Sequence, residues 1–81
     1  MNCFIYRASR KQETYIYLAV KDQYDRLPEN LMSLLGDLEF VMQLDLMSID
    51  KLANADLDEV KKKITAEGYY LQLPPEHHIW A

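Results

Sequence analysis

Apolar and aromatic residues are concentrated in two short stretches near the start of the chain, residues 2–7 and 14–20. Both stretches are rich in β-branched and aromatic side chains, which are favoured in strands. The segment between them, 8–13, is short and mainly polar, and it contains no glycine that would define a turn type. The pattern therefore predicts a β-hairpin with a charged connection.

A short helix is predicted after the hairpin. Pro28 suits the first helical turn, where its missing backbone N–H costs no hydrogen bond, and Gly36 is a typical helix end. The apolar residues spaced to share one helix face are Leu27, Leu31, Leu34 and Leu35. This spacing predicts a helix of about two turns.

The stretch 37–46 alternates between apolar and mainly polar side chains. The apolar positions of the alternation are Leu38, Phe40, Met42, Leu44 and Leu46. Alternation over the whole stretch predicts a strand with one buried face. The residues that follow, 47–54, fit either a short additional strand or a loop.

A second helix is predicted from Asp56 onward. Asp56 and Glu59 have the spacing of a capping box, with aspartate in place of the usual serine or threonine, and Gly68 marks the helix end. The apolar residues on one face of this helix are Leu57, Val60 and Ile64. Residues 69–73 then predict a final strand, and residues 76–81 predict a loose C-terminal tail.

The predicted element order is ββαβ(β)αβ, where the bracketed strand is the optional one. Two helices packed on one face of a mostly antiparallel sheet of four to five strands would bury the apolar stripes. We therefore expect an α+β fold, a two-layer sandwich, formed by a single domain over residues 1–75.

Composition narrows the functions that this fold could serve. The chain has 81 residues, of which 49% are hydrophobic, which suffices for a compact core but leaves little room for a deep pocket. This shifts the expectation from an enzyme towards a binding or structural module. The net charge of −4, from 9 basic and 13 acidic residues, argues against general nucleic-acid binding, because phosphate groups repel an acidic domain.

Cysteine content and the distribution of apolar residues indicate the compartment. The only cysteine is Cys3, which excludes an internal disulfide, and a small chain without one fits a reducing cytosol. The first residues reach polar side chains before any long apolar run, so we expect no signal peptide. No stretch approaches the roughly 20 apolar residues that span a bilayer. We therefore expect a cytoplasmic protein without a membrane segment.

The tyrosines of the strands suggest a binding surface. The alternation is consistent with a core formed by Ile5, Ile16, Leu18 and Val20. The hairpin tyrosines would then lie on the opposite, open face of the sheet, close to basic side chains at one end of the hairpin. The candidate binding residues are Tyr6, Arg7, Arg10, Lys11, Tyr15, Tyr17, Asn54 and Tyr70.

Three interpretations of this face remain open. The aromatic rings could cover a half-exposed sheet, contact a protein, or stack on single-stranded nucleic acid. Asn54, which precedes the second helix, fits a turn or a cap as well as a polar ligand site.

The chain shows no metal, cofactor or nucleophile pattern. The aspartates of 45–58 lack the glycine and terminal glutamate of an EF-hand loop, so we interpret them as a solvated edge. His77 and His78 are adjacent, and adjacent side chains on an extended tail point apart rather than towards one metal. Cys3 lies in an apolar strand without a histidine in the core elements, so it is interpreted as a small buried hydrophobe.

Three stretches, taken together, resemble the YcgL family. The first is CFIYR at 3–7 followed by TYIYL at 14–18, the second is LPENLM at 27–32 running to Leu35-Gly36, and the third is KLANAD at 51–56 leading through Val60 to GYYLQLPP at 68–75. The resemblance implies small bacterial proteins, mainly gammaproteobacterial, with an α/β sandwich on an antiparallel sheet. It implies no activity and supplies no catalytic residues.

These observations favour a non-enzymatic protein-interaction module that binds an unidentified protein partner. The alternative is an RNA-linked accessory domain that uses the aromatic and basic sheet face, and an enzyme acting at a shallow surface site is a third, weaker option. Because an exposed sheet face could also pair two copies of the chain, the oligomeric state stays open.

Overall fold

The computed structural model describes residues 1–52 and 55–73, which form four strands and two helices. The elements are β1 (Asn2–Ala8), β2 (Tyr15–Leu18), α1 (Glu29–Leu35), β3 (Leu38–Asp45), α2 (Leu57–Glu67) and β4 (Tyr69–Gln72). The α+β class and the predicted element order are confirmed. The backbone over 47–52 contains no strand, while Asn54 and the predicted tail lie outside the described residues.

The four strands form one antiparallel sheet in the order β3-β1-β2-β4. The predicted hairpin is present, because β1 pairs with β2 at the centre of the sheet. β3 and β4 are consequently the two edge strands.

The register of the hairpin decides which side chains share a face of the sheet. Ile5 pairs with Tyr17, and Tyr6 pairs with Ile16. Residues directly opposite each other in an antiparallel pair lie on the same face. Tyr6 and Tyr17 therefore lie on opposite faces, which differs from the expectation that Ile5 and Ile16 share one core.

Both faces of the sheet bury apolar side chains. On one face, which we call the Tyr17 face, buried side chains are Cys3, Ile5, Tyr17, Leu46, Val60 and Ile64. On the other, the Tyr6 face, they are Tyr6, Ala8, Ile16, Leu18, Leu27 and Leu35. Since Val60 and Ile64 belong to α2 and Leu35 belongs to α1, the helices pack on opposite faces, and the prediction that both lie on one face is wrong.

A β-bulge in β3 changes the predicted one-sided burial of that strand. The register shifts so that Met42 lies opposite Ile5 and Phe40 lies opposite Tyr6, which leaves Val41 as the extra residue. Leu38 then contacts the Tyr6 face, whereas Leu44 contacts the Tyr17 face. The strand is confirmed, but its apolar residues are divided between the two faces.

The predicted helix ends agree with the structure to within one residue, since Pro28 is the N-cap of α1 and the first turn begins at Glu29. The Asp56 side chain accepts hydrogen bonds from the backbone N–H groups of Asp58 and Glu59 at 3.0 and 3.4 Å, which satisfies two otherwise unpaired donors of α2. Gly68 ends α2 in the left-handed region, with φ of 86°. Gly36 ends α1 with φ of 77°, a conformation that requires glycine.

Candidate functional site

The tyrosines of the Tyr17 face lie beneath α2. The Tyr17 side chain is only 5% exposed and belongs to the same buried cluster as Val60 and Ile64. Its ring contacts Tyr70 edge to face, with centroids 5.7 Å apart, and its hydroxyl donates to the Gln72 side chain. Burial raises the pKa of Tyr17 to about 12. Tyr17 therefore has no exposed ring surface on which a ligand could stack.

Tyr6 is buried on the opposite face, with 1% of its surface exposed. Its hydroxyl donates to the Asp22 carboxylate and accepts from the Asp22 backbone N–H. Its ring makes edge contacts with Tyr24 and Phe40. An open face that includes both Tyr6 and Tyr17 is not formed, because the hairpin register separates them and a helix covers each face.

The basic residues of the predicted site occupy different surroundings. Arg7 lies opposite Tyr15 in β2 and forms an exposed ion pair with Glu39 of β3. Arg10 donates to the Ser33 carbonyl at 3.2 Å, next to the C-terminal end of α1. Lys11 is exposed in the β1–β2 connection. The structure thus brings Arg7 and Tyr15 together but engages both arginines within the fold.

A groove follows the outer edge of β4. Its volume is about 310 Å³, and its lining residues are Leu31, Glu59, Lys63, Glu67, Tyr69, Tyr70 and Leu71. Leu31 comes from α1 on the Tyr6 face, whereas the three charged residues come from α2 on the Tyr17 face. The groove therefore contains the outer edge of β4, with which no strand of residues 1–52 and 55–73 pairs, and one helix contributes from each face. We call it the β4-edge groove.

The hydrogen-bond pattern of β4 determines which of its backbone groups face away from β2. The Ala19 N–H donates to the Gly68 carbonyl at 3.0 Å, so these two residues form a hydrogen-bonded pair at the start of β4. Hydrogen-bonded and non-hydrogen-bonded pairs alternate along an antiparallel ladder. Tyr70 therefore turns its N–H and C=O towards β2, while Tyr69 and Leu71 turn theirs away from the sheet. An edge of this kind is a template for pairing with another strand.

The α2 wall of the groove carries a row of charges at four-residue spacing. Lys63 and Glu67 pair with each other, with Nζ and Oε2 3.1 Å apart. Within the described ranges, no salt bridge includes Glu59. Burial and the nearby Glu59 carboxylate raise the pKa of Tyr70. The wall thus holds two carboxylates, Glu59 and Glu67, against the one ammonium of Lys63, and it carries a net negative charge.

The other edge of the sheet carries the exposed apolar residues of the β3 bulge. Phe40, Val41 and Met42 are each exposed by 43 to 45%. However, the Lys21 Nζ lies 4.6 Å from the centroid of the Phe40 ring. Bulges and lysine side chains are features that discourage strand pairing at sheet edges. The β4 edge is therefore the better candidate for a binding site.

Residues 1–52 and 55–73 show neither a metal-binding cluster nor a membrane-spanning helix. These ranges contain no group of three or more histidine, cysteine or acidic side chains arranged to hold a metal ion. None of the helices in this part of the chain has the length and apolar character needed to cross a bilayer.

Comparison with known proteins shows which family this arrangement represents. The YcgL domain matches residues 3–75. The chain belongs to the YcgL family. It is 45% identical over 75 residues to the YcgL domain-containing protein PMI1171 of Proteus mirabilis, an alignment that covers 93% of this chain and 77% of the relative. The resemblance stated from the sequence is thereby confirmed.

Proteins named YcgL give similar matches. The Escherichia fergusonii protein is 49% identical over 75 residues, covering 93% of this chain and 77% of the relative. The protein of Escherichia coli K12 is 48% identical, covering 93% of this chain and 69% of the relative. The YcgL match extends past β4, so all elements that line the β4-edge groove belong to the matched region.

Sequence reasoning missed this groove. The signal for its charged wall was present, since Glu59, Lys63 and Glu67 recur at the spacing of neighbours on a helix surface. The position of β4 at an edge was not encoded in any local pattern, because strand order depends on pairing between segments distant in sequence.

Proposed function

We propose that this YcgL chain is a non-enzymatic protein-interaction module that binds an extended segment of a partner protein along β4. The proposal rests on the outward-facing backbone groups of Tyr69 and Leu71, two residues that line the β4-edge groove. Addition of a strand to a sheet edge is an established mode of peptide recognition, in which main-chain hydrogen bonds supply affinity and alternate side chains supply specificity.

The groove provides contacts on both sides of an added strand. Successive side chains of a strand point to opposite faces of the sheet. Alternate partner side chains would therefore face α2 and the region of Leu31. Four residues of β4 span about 13 Å, which limits the paired segment to a short stretch. A short pairing of this size suits transient rather than permanent association.

Two features favour a protein partner over the RNA-linked alternative. The rings of Tyr6 and Tyr17 are buried and Arg7 is paired with Glu39, so the RNA-linked alternative has little exposed aromatic or basic surface in its support.

We propose a cytoplasmic location for the module, because its single cysteine gains no internal disulfide from an oxidising compartment.

The test is peptide selection followed by mapping on the full chain. Peptides selected from a random library on the immobilised protein are added to isotopically labelled protein, and amide hydrogen exchange is measured by NMR. We expect the amides of Tyr69 and Leu71 to gain protection, because they donate to the added strand. A Lys63→Trp variant, which fills the groove, should lose binding. Lys62→Trp places the same bulk on α2 outside the groove lining and should retain it.

The same experiments would also identify an occupant of the groove other than a partner peptide. Equal binding by the Lys63→Trp variant would overturn the β4-edge assignment. Protection of Tyr69 and Leu71 that rises with protein concentration, without peptide, would identify a second copy as the occupant. Protection already present in dilute protein and lost in a Trp80→Ser variant would assign the groove to residues 74–81. Salt-sensitive binding of single-stranded RNA instead of peptides would favour the RNA-linked alternative.

A further inference from the structure

The charges around the β4-edge groove define the chemistry of the segment that binds there. This inference rests on the proposed function, because it concerns the partner at the same edge. We propose that the bound segment carries a lysine or arginine facing Glu59, followed or preceded directly by an apolar residue facing Leu31.

The requirement for a basic residue follows from the net negative charge of the α2 wall. Glu59 is exposed and lines the groove, and the Lys63 ammonium is already paired with Glu67. A strand placed beside Tyr70 would direct alternate side chains towards this wall. Because Glu59 and Glu67 outnumber the single ammonium of Lys63 on this wall, an acidic side chain at such a position would be repelled and a basic one attracted.

The requirement for an adjacent apolar residue follows from the other wall. Leu31 lines the groove from the Tyr6 face, where Tyr69 and Leu71 are also partly buried. Because consecutive strand residues point to opposite faces, the neighbour of the basic residue is directed to this apolar side. Burial of its surface against Leu31 would add affinity in proportion to the apolar area removed from water.

The probes are three acetylated hexapeptides in which valine alternates with lysine, glutamate or threonine. Their affinities for the full chain are measured by NMR titration at low salt. We expect the lysine peptide to bind most tightly and the glutamate peptide most weakly. Removing the charge with Glu59→Gln should weaken binding of the lysine peptide by about twofold to fivefold, the range for an exposed ion pair. The threonine peptide should be unaffected by this change.

A matched control separates a local ion pair from general attraction to an acidic protein. Asp58→Asn removes the same charge from the first turn of α2, outside the groove lining, and should leave lysine-peptide affinity unchanged. Equal weakening by both variants would overturn the proposed contact with Glu59. A Glu59→Lys variant should reverse the preference and favour the glutamate peptide.

Different results would overturn strand addition at β4 and the requirement for a basic residue. If all three peptides bind equally, protect Tyr69 and Leu71, and are blocked by Lys63→Trp, strand addition stands and the basic-residue requirement is wrong. If none protects these amides and library selection also yields no peptide that does, both are wrong. If the lysine peptide alone binds but is unaffected by Lys63→Trp, its attachment lies elsewhere and both assignments are overturned.

Discussion

The Tyr6 hydroxyl donates a hydrogen bond to the Asp22 carboxylate at 2.9 Å and accepts one from the Asp22 backbone N–H at 2.7 Å. This reciprocal pair joins the central strand β1 to the connection between β2 and α1. Asp22 adopts a positive φ of 61°, a conformation that few non-glycine residues tolerate without compensation. The pair therefore fixes the connection over the Tyr6 face and explains why a tyrosine, rather than an aliphatic residue, is buried there.

Replacing Tyr6 by phenylalanine should lower the free energy of unfolding by about 1–3 kcal/mol, because the Asp22 N–H loses its partner in a partly buried position. Urea denaturation followed by circular dichroism measures this change. Tyr24→Phe is the matched control, since its hydroxyl donates to the same carboxylate at 3.1 Å but in an exposed position. The control should cost less than about 1 kcal/mol. Equal losses in the two variants would contradict a structural role specific to Tyr6.

Stability should decline in alkaline solution between about pH 10 and pH 12. Burial raises the pKa of both Tyr6 and Tyr17 from 10.0 to about 12. Above pH 10 the unfolded chain releases these protons while the folded chain retains them, so the unfolded state is progressively favoured until the folded groups also ionise. Urea midpoints measured at increasing pH should fall across this window. The decrease of the urea midpoint with pH should be smaller in a variant carrying Tyr6→Phe and Tyr17→Phe. An unchanged decrease would show that these two tyrosines do not cause the loss of stability.

The Cys3 thiol should resist alkylation in the folded protein. Cys3 is fully buried, and this burial raises the pKa of its thiol to about 11, so the reactive thiolate is scarce at neutral pH. Because the chain has one cysteine, total labelling by Ellman's reagent reports this position alone. We expect reaction to be slow in native buffer and rapid in denaturant. Fast stoichiometric labelling of the native protein would show that the strand is not packed as described.

Alanine at Gly36 should destabilise the fold more than alanine at Gly68. At Gly36 an added Cβ would lie 2.5 Å from Arg10 Cγ, and the backbone has φ of 77° and ψ of −149°, a region open almost only to glycine. At Gly68 the backbone is left-handed helical and the nearest atom is Arg26 Cδ at 2.8 Å, on a flexible side chain. We expect the free energy of unfolding to fall by about 1–3 kcal/mol in Gly36→Ala and by about 1 kcal/mol in Gly68→Ala. Thermal or urea unfolding of both variants would test the order, and the reverse order would contradict it.

The starts and ends of the two helices were determined by the sequence alone. Pro28, Gly36, Asp56 and Gly68 each act through the backbone conformation or hydrogen bonds of their own immediate surroundings. The signals for helix starts and ends therefore needed no knowledge of the rest of the chain. The strand patterns of residues 2–7, 14–20 and 37–46 are likewise local, because they depend on consecutive residues, although β2 ends at Leu18 and β3 at Asp45.

The tertiary structure alone decided which side chains meet and which of the four described strands lie at the edges of the sheet. The hairpin register set Tyr6 and Tyr17 on opposite faces, and the bulge at Val41 divided the apolar residues of β3 between those faces. Both β1 and β2 carry apolar or aromatic side chains on each face, so alternation could not distinguish one register from the next. The pairing order that leaves β4 at an edge depends on contacts between segments distant in sequence. For that reason the sequence predicted the elements of this YcgL domain, and the tertiary structure decided where its candidate binding groove lies.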